Sequence, residues 1–156
     1  MRRFYRAVGL FLFASAVSLT ASCGSNAPEK LAETGATLEG TITHNGRPVQ
    51  FALVLVQSAN GTGSPATGSA GPEGKYKVMN VPTGEVKVAV NTDAGMGDLK
   101  TAQMQGGMYT GPDGKKAKRV NLDYNQVPKK FHIPETTTIK TTINAGSNTF
   151  DIDVPK

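Results

Sequence analysis

Tryptophan is absent from this chain, cysteine occurs once, histidine twice, and aromatic residues make up only 6% of its 156 positions. Each scarcity narrows the chemistry. A single cysteine excludes an internal disulfide and any cysteine-rich zinc framework. Two histidines, His44 and His132, are too few for a metal centre built mainly on imidazole. Without tryptophan, a stacking platform for sugars would fall to tyrosines. The charge excess is small as well. Formal net charge is +5, but Arg2, Arg3 and Arg6 lie at the start of the chain, and without them 14 basic residues face 12 acidic ones. That balance is no nucleic-acid signature. A membrane span needs about 20 apolar residues, and the stretch from Ala7 to Leu19 falls short of it.

What the chain has in quantity is glycine (18) and proline (9), with hydrophobic residues held to 38%. Helix interiors exclude Gly and Pro, so this composition predicts a turn-rich all-β domain, and the length allows one such domain plus accessories. Residues 1–22 combine a basic start, a short apolar stretch and the small residues Ala21 and Ser22 before Cys23. That is the layout of a secretory signal. A cysteine placed straight after the cleavage site resembles the bacterial lipobox. The lipobox favours leucine three places before the cysteine, where this chain has Thr20 with Leu19 one place earlier. The resemblance implies acylation of Cys23 and anchoring to the bacterial cell envelope, at the outer membrane. Each buried CH₂ contributes about 0.8 kcal/mol, so two or more chains hold a protein stably where one holds it marginally.

From residue 23 to 36 the sequence is small and polar and reads as a flexible tether. "TLEGTIT" then alternates, with Leu38 and Ile42 on one face. Asn45-Gly46 supplies the positive-φ pair of a tight turn, and Pro48 ends pairing. "FALVLVQ" reads as a buried strand, Thr67 to Ala70 as a short edge strand, and "KYKVMNV" and "EVKVAVN" as hairpin-linked strands. "TIKTTI" and "TFDIDV" close the pattern. The count predicts a roughly seven-stranded antiparallel sandwich over residues 37–154, with Leu53, Leu55, Val88, Phe150 and Ile152 in its core and Glu39, Asp151 and Asp153 facing water. Between about Asp93 and Lys130 the alternation stops. A break that long predicts an inserted segment that is either mobile or ordered by a partner, cut first by protease between Gly95 and Lys118.

"GTITHNGRPVQFALVLV", "GPEGKYKVMNVPTGEVKVAV" and "VPKKFHIPETTTIKTTINAGSNTFDIDV" together resemble the carboxypeptidase regulatory-like domain, a transthyretin-like sandwich, in the form found in small lipoproteins of planctomycete bacteria. Gly46, Pro48, Gly74, Tyr76, Pro82, Gly84, Ile133 and Pro134 occupy the places of that pattern. The resemblance implies a fold and an accessory, non-catalytic module. It supplies no activity.

"HIPE", from His132 to Glu135, spells the H-x-x-E of zinc carboxypeptidases, but Pro134 separates the would-be ligands and His44 falls in a turn, so a third ligand is missing. His132 therefore reads as a surface or hinge residue. Hydroxyisourate hydrolases share the transthyretin fold and end in Tyr-Arg-Gly-Ser, whereas this chain ends "DIDVPK". No serine lies in a nucleophile-elbow sequence. The expectation is a non-enzyme without cofactor or metal. Its binding loop would be the insertion, where Lys115, Lys116, Lys118 and Arg119 gather between Tyr109 and Tyr124. Such a loop suits an anionic envelope protein or polymer, with glycan binding through Tyr109 and Tyr124 as the alternative. Met96, Met104 and Met108 read as padding of the insertion against the sandwich. Membrane contact would come through the lipid on Cys23.

Overall fold

Alternation of small β-branched residues dictates the framework. In a strand, successive side chains point to opposite faces, so Val86, Val88 and Val90 share one face of "EVKVAVN", and all three are fully buried. The computed structural model describes residues 35–108 and 121–156. Its strands are β1 (Thr37–His44), β2 (Arg47–Pro48), β3 (Leu53–Ser58), β4 (Ala66–Ser69), β5 (Lys75–Met79), β6 (Gly84–Asn91), β7 (Lys140–Ile143), β8 (Ser147–Thr149) and β9 (Ile152–Val154), with one helix, α1 (Met96–Met104), and a 3₁₀ turn at Lys129–Phe131.

They form a β-sandwich. One sheet is centred on β1, which pairs antiparallel with β2 and β5 and parallel with β8 and β9. The other runs β4-β3-β6-β7, antiparallel throughout. Leu38, Ile42, Tyr76, Val78, Ile152 and Val154 from the first sheet meet Val54, Val56, Val86, Val88, Val90 and Ile143 from the second in one continuous core. Burying each such aliphatic side chain contributes about 1.5 to 3 kcal/mol relative to leaving it in water.

Three expectations need correction. Leu53 and Leu55 are half-buried on the outer face, and the core residues of β3 are Val54 and Val56. A run that is apolar at every position carries no phase, so the sequence left the inward face open. Phe150 packs against the core from its margin, because the last strand breaks there into β8 and β9. That strand also lies parallel to β1, as in Ile42 opposite Ile152, where antiparallel pairing was expected. Glu39, Asp151 and Asp153 are exposed, as expected.

The break has a local cause. The Phe150 carbonyl presses on Gly40, where a Cβ would overlap it, and that oxygen accepts the Tyr76 hydroxyl at 2.7 Å. One residue on, the Asp151 carboxylate takes the Thr41 N–H at 2.8 Å in place of a ladder carbonyl. Glycine at residue 40 is therefore required by the close approach of a second backbone.

The sandwich has two distinct ends. At the entry end the chain comes in at Ala36, whose carbonyl accepts the Val81 N–H, beside the β7–β8 turn at Gly146 and the β5–β6 turn. Ala36 is fully buried, so the last residue of the predicted tether belongs to the sandwich. At the far end lie the β1–β2 turn, with Asn45 and Gly46 at φ 55° and 71°, the exit of β6 at Asn91, and the last residues of β9. Two strand-length facts follow from this layout: β1 and β6 each run the whole distance between the ends.

Candidate functional site

Everything the sequence marked as an insertion and the structure describes gathers at the far end. Asn91 Oδ1 accepts the Ala94 N–H at 3.0 Å and turns the chain out of β6 into α1. Leu99 and Ala102, three residues apart on α1, are its buried positions. They close on Phe51, with Met96, Leu122 and Tyr124 around them, as a small second apolar cluster. Phe51 adopts φ 54°, a left-handed conformation that is costly for a bulky side chain, and its carbonyl packs against Gly95 where a Cβ would collide. The described part of the expected long irregular insertion is thus a helix and a strap closed over a strained corner. Met96 does pad this cluster, but Met104 and Met108 stand 88% and 61% exposed.

The strap after the helix, residues 121–128, is fastened by polar side chains. The Gln50 carboxamide imitates a strand neighbour: its nitrogen donates to the Asn121 carbonyl at 2.9 Å and its oxygen accepts the Asp123 N–H at 2.9 Å. Asn125 donates to the carbonyls of His44 and Arg47 at 2.9 and 3.1 Å, bracing the tight turn. Arg47 pairs with Asp123 on the surface, where an ion pair contributes at most about 1 kcal/mol. The Tyr124 hydroxyl donates to Asp93 Oδ1 at 3.1 Å. Burial, opposed by a Thr92 hydrogen bond and assisted by the Asp93 carboxylate, raises the phenol above its usual value.

Both histidines are buried at this end, which corrects the surface or hinge reading of His132 and the turn reading of His44. His44 closes β1: its Nδ1–H donates to the Val154 carbonyl at 2.8 Å and its Nε2 accepts from Asn45 at 3.0 Å, an arrangement that assigns the neutral Nδ1–H tautomer. His132 places Nε2 2.9 Å from the Val127 carbonyl and 3.5 Å from Thr92 Oγ1, while Nδ1 lies 3.7 Å from Asp93 Oδ2.

Asp93, His132 and Thr92 have the residue types of a nucleophile–base–acid triad, and their geometry defeats that chemistry. A general base needs its Nε2 lone pair aimed at the hydroxyl. Here a carbonyl 2.9 Å away requires Nε2 to carry the proton. The Asp93 contact is beyond hydrogen-bond length, and Thr92 is buried with its hydroxyl facing the Val127 N–H at 3.4 Å. The three residues hold the strap to the end of β6. Among the described residues, no three His, Cys, Asp or Glu side chains come together to hold a metal ion.

Of the candidate lipidation and binding-loop residues, Tyr124 is the one among the described residues. Its half-buried ring belongs to the second cluster and its hydroxyl bonds Asp93, so it is fastened to the strap. Cys23, Tyr109, Lys115, Lys116, Lys118 and Arg119 lie outside the described residues, as does the signal region. The positions on either side of residues 109–120, Met108 and Asn121, both belong to the far end. Sequence reasoning missed Gln50, Asn125 and Thr92. Their signal would have been a polar residue beside an apolar run, which is too common to single out.

No family model matches the chain, and no curated protein matches it. Solved structures with a similar arrangement include the major pilin subunit BcpA of Bacillus cereus, at 17% identity and TM-score 0.39 over 78% of this chain and 30% of that one. A DUF3823 family protein from Parabacteroides merdae matches at 10% identity and TM-score 0.38, over 76% of this chain and 45% of that one. The chain thus spans less than half the length of either.

Proposed function

We propose that the chain is a lipid-anchored protein of the bacterial cell envelope whose sandwich is a non-catalytic interaction module, displaying the basic 109–120 loop from its far end to an anionic partner. The observation that carries the reading is the fastening of both flanks of that loop. α1 before it and residues 121–128 after it are each tied to the Gln50–Phe51 corner and to the exit of β6. A loop with a fixed base loses less freedom on binding than one on free stems. Among the described residues, the Asp93–His132–Thr92 constellation is committed to that same fastening, which supports a binding role over a reaction. The signal layout and Cys23 support the anchor, and the resemblance to regulatory-like lipoprotein domains supports the accessory role.

Two experiments test the two halves. Cys23→Ala should leave the protein soluble or unprocessed, and equal detergent partitioning of variant and wild type would refute the anchor. Changing Lys115, Lys116, Lys118 and Arg119 together to Gln should weaken capture by envelope extracts while the melting temperature stays put. Screening acts over about 8 Å at physiological salt, so wild-type capture should fall steeply as salt rises. Salt-independent capture would remove the electrostatic reading.

A further inference from the structure

Sheet edges are where a β-sandwich is open to another chain, because an edge strand keeps a row of unpaired N–H and C=O groups. Most edges of this sandwich are blunted. β4 lies against β5, joined by the Ala70–Tyr76 bridge and by Gly68, where a Cβ would overlap the Lys77 carbonyl. β2 is two residues long and ends in Pro48. The outer edge of β8 and β9 is broken at Phe150 and carries the exposed Asp151 and Asp153. β7 differs: it pairs with β6 on one side, and no described strand pairs with it on the other. Its one charge, Lys140, is held by Glu85 at 3.2 Å. "TTTIKTTI", residues 136–143, is rich in the β-branched residues that suit a strand.

The ladder fixes which groups point outward. The Val88 N–H donates to the Ile139 carbonyl at 2.9 Å, so by the alternation of an antiparallel pair Thr141 and Ile143 also bond to β6, and the backbone groups of Lys140 and Thr142 face away. We infer that β7 pairs antiparallel with β7 of a second copy of this chain, across a two-fold axis at Thr141, joining the two four-stranded sheets into one continuous sheet. In that register Lys140 lies opposite the partner's Thr142, and every outward N–H and C=O of Lys140 and Thr142 finds a partner. On the inner face Ile139 meets the partner's Ile143 and extends the apolar layer. On the outer face no like charges stand opposite one another, and the row from Lys140 runs over the partner's Thr142 to the partner's Glu85. Sliding the strands by two residues engages Asn144 instead, whose N–H and C=O are already bonded to the Asn148 side chain. This self-complementarity, which a two-fold interface requires, singles out a second copy over an unrelated extended peptide.

One short strand pair buries less than the about 800 Å² a side of a standard interface, so the dimer is reversible and is best trapped covalently. The test uses the full chain with Cys23→Ala, so that the introduced thiol is the only one. Thr141→Cys sets two thiols on directly opposed, non-hydrogen-bonded positions with Cα atoms about 4.5 Å apart, within disulfide reach. Thr142→Cys and Lys140→Cys set them on a diagonal of about 7–8 Å, beyond it. Under mild oxidation Thr141→Cys should give about tenfold more covalent dimer than either. Random collision predicts the opposite order, because residue 141 is half-buried and residues 140 and 142 are exposed. Adding Thr142→Pro removes an outward N–H and no bond to β6, so it should abolish the residue-141 dimer and leave the melting temperature unchanged. No dimer from Thr141→Cys, equal yields at the three positions, an excess at residue 142, or a residue-141 dimer that survives the proline in a folded chain would overturn the inference. Should the proline unfold the domain, the ranking of the three cysteines decides alone.

Discussion

The sandwich and its far-end strap are held by different kinds of bond. Between the sheets, apolar faces lock along whole strands, and backbone ladders from β1 to β9 make every residue's contribution small and repeated. The strap has almost no ladder. A few side chains that occur once each, Gln50, Asn125, Thr92 and Asp93, replace it, over a cluster of three buried residues and three partners. A repeated design tolerates local loss and fails all at once, whereas a design of single contacts opens piece by piece.

The largest effect should come from the sandwich. Val88→Asp buries an unpaired carboxylate between the sheets and should cost about 4 kcal/mol or more, abolishing the cooperative melt followed by circular dichroism. A wild-type melt from that variant would dissolve the distinction between the regions. Next is Gly40→Ala. Its Cβ meets the Phe150 carbonyl, so β1 and the last strand must separate, at about 3 kcal/mol in chemical denaturation.

Gln50→Ala sharpens the contrast from the other side. It removes both bonds to residues 121 and 123, and about 1 to 2 kcal/mol of protection should vanish from the amides of residues 121–128 in hydrogen exchange, with the global melt nearly unmoved. A matching drop in global stability would mean that strap and sandwich unfold as one unit.

Tyr76→Phe should have the smallest effect, about 1 kcal/mol at neutral pH for the lost bond to Phe150. Burial, reinforced by the Asp151 carboxylate, lifts the Tyr76 phenol well above its ordinary 10.0. A folded-state value above the unfolded one favours the neutral form on folding. The contribution is therefore complete below about pH 10 and is lost as pH rises beyond it. Denaturation against pH should show the wild type losing stability in that alkaline window and the phenylalanine variant losing less.

The same contrast explains how far the sequence could be read. Val86, Val88 and Val90 alternate against polar neighbours, so that strand and its inward face were legible. Leu53 to Val56 is apolar throughout, so the strand was legible and its face was not. Alternation in "TFDIDV" looks the same whether the partner runs parallel or antiparallel, and the parallel register to β1 was hidden. α1 carries only Leu99 and Ala102 as buried anchors among Gly97 and polar residues, too thin a stripe to announce a helix. His132 could be placed only by knowing that Asp93, Thr92 and Val127 converge on it. Convergence of single residues leaves no period for a sequence to display.

The parallel pairing of β1 with the last strand bears on when the domain can form. His44 and Val154 are 110 residues apart, as are Thr41 and Asp151, yet each pair is joined by a hydrogen bond on the same central strand. Contacts of such separation close a long loop before they return any stabilisation, and folding rates fall as they come to dominate. β1 therefore waits, paired on one side only, until residues 147–154 have been made. Without residues 147–154 the middle strand keeps an open edge, a ready template for unwanted pairing.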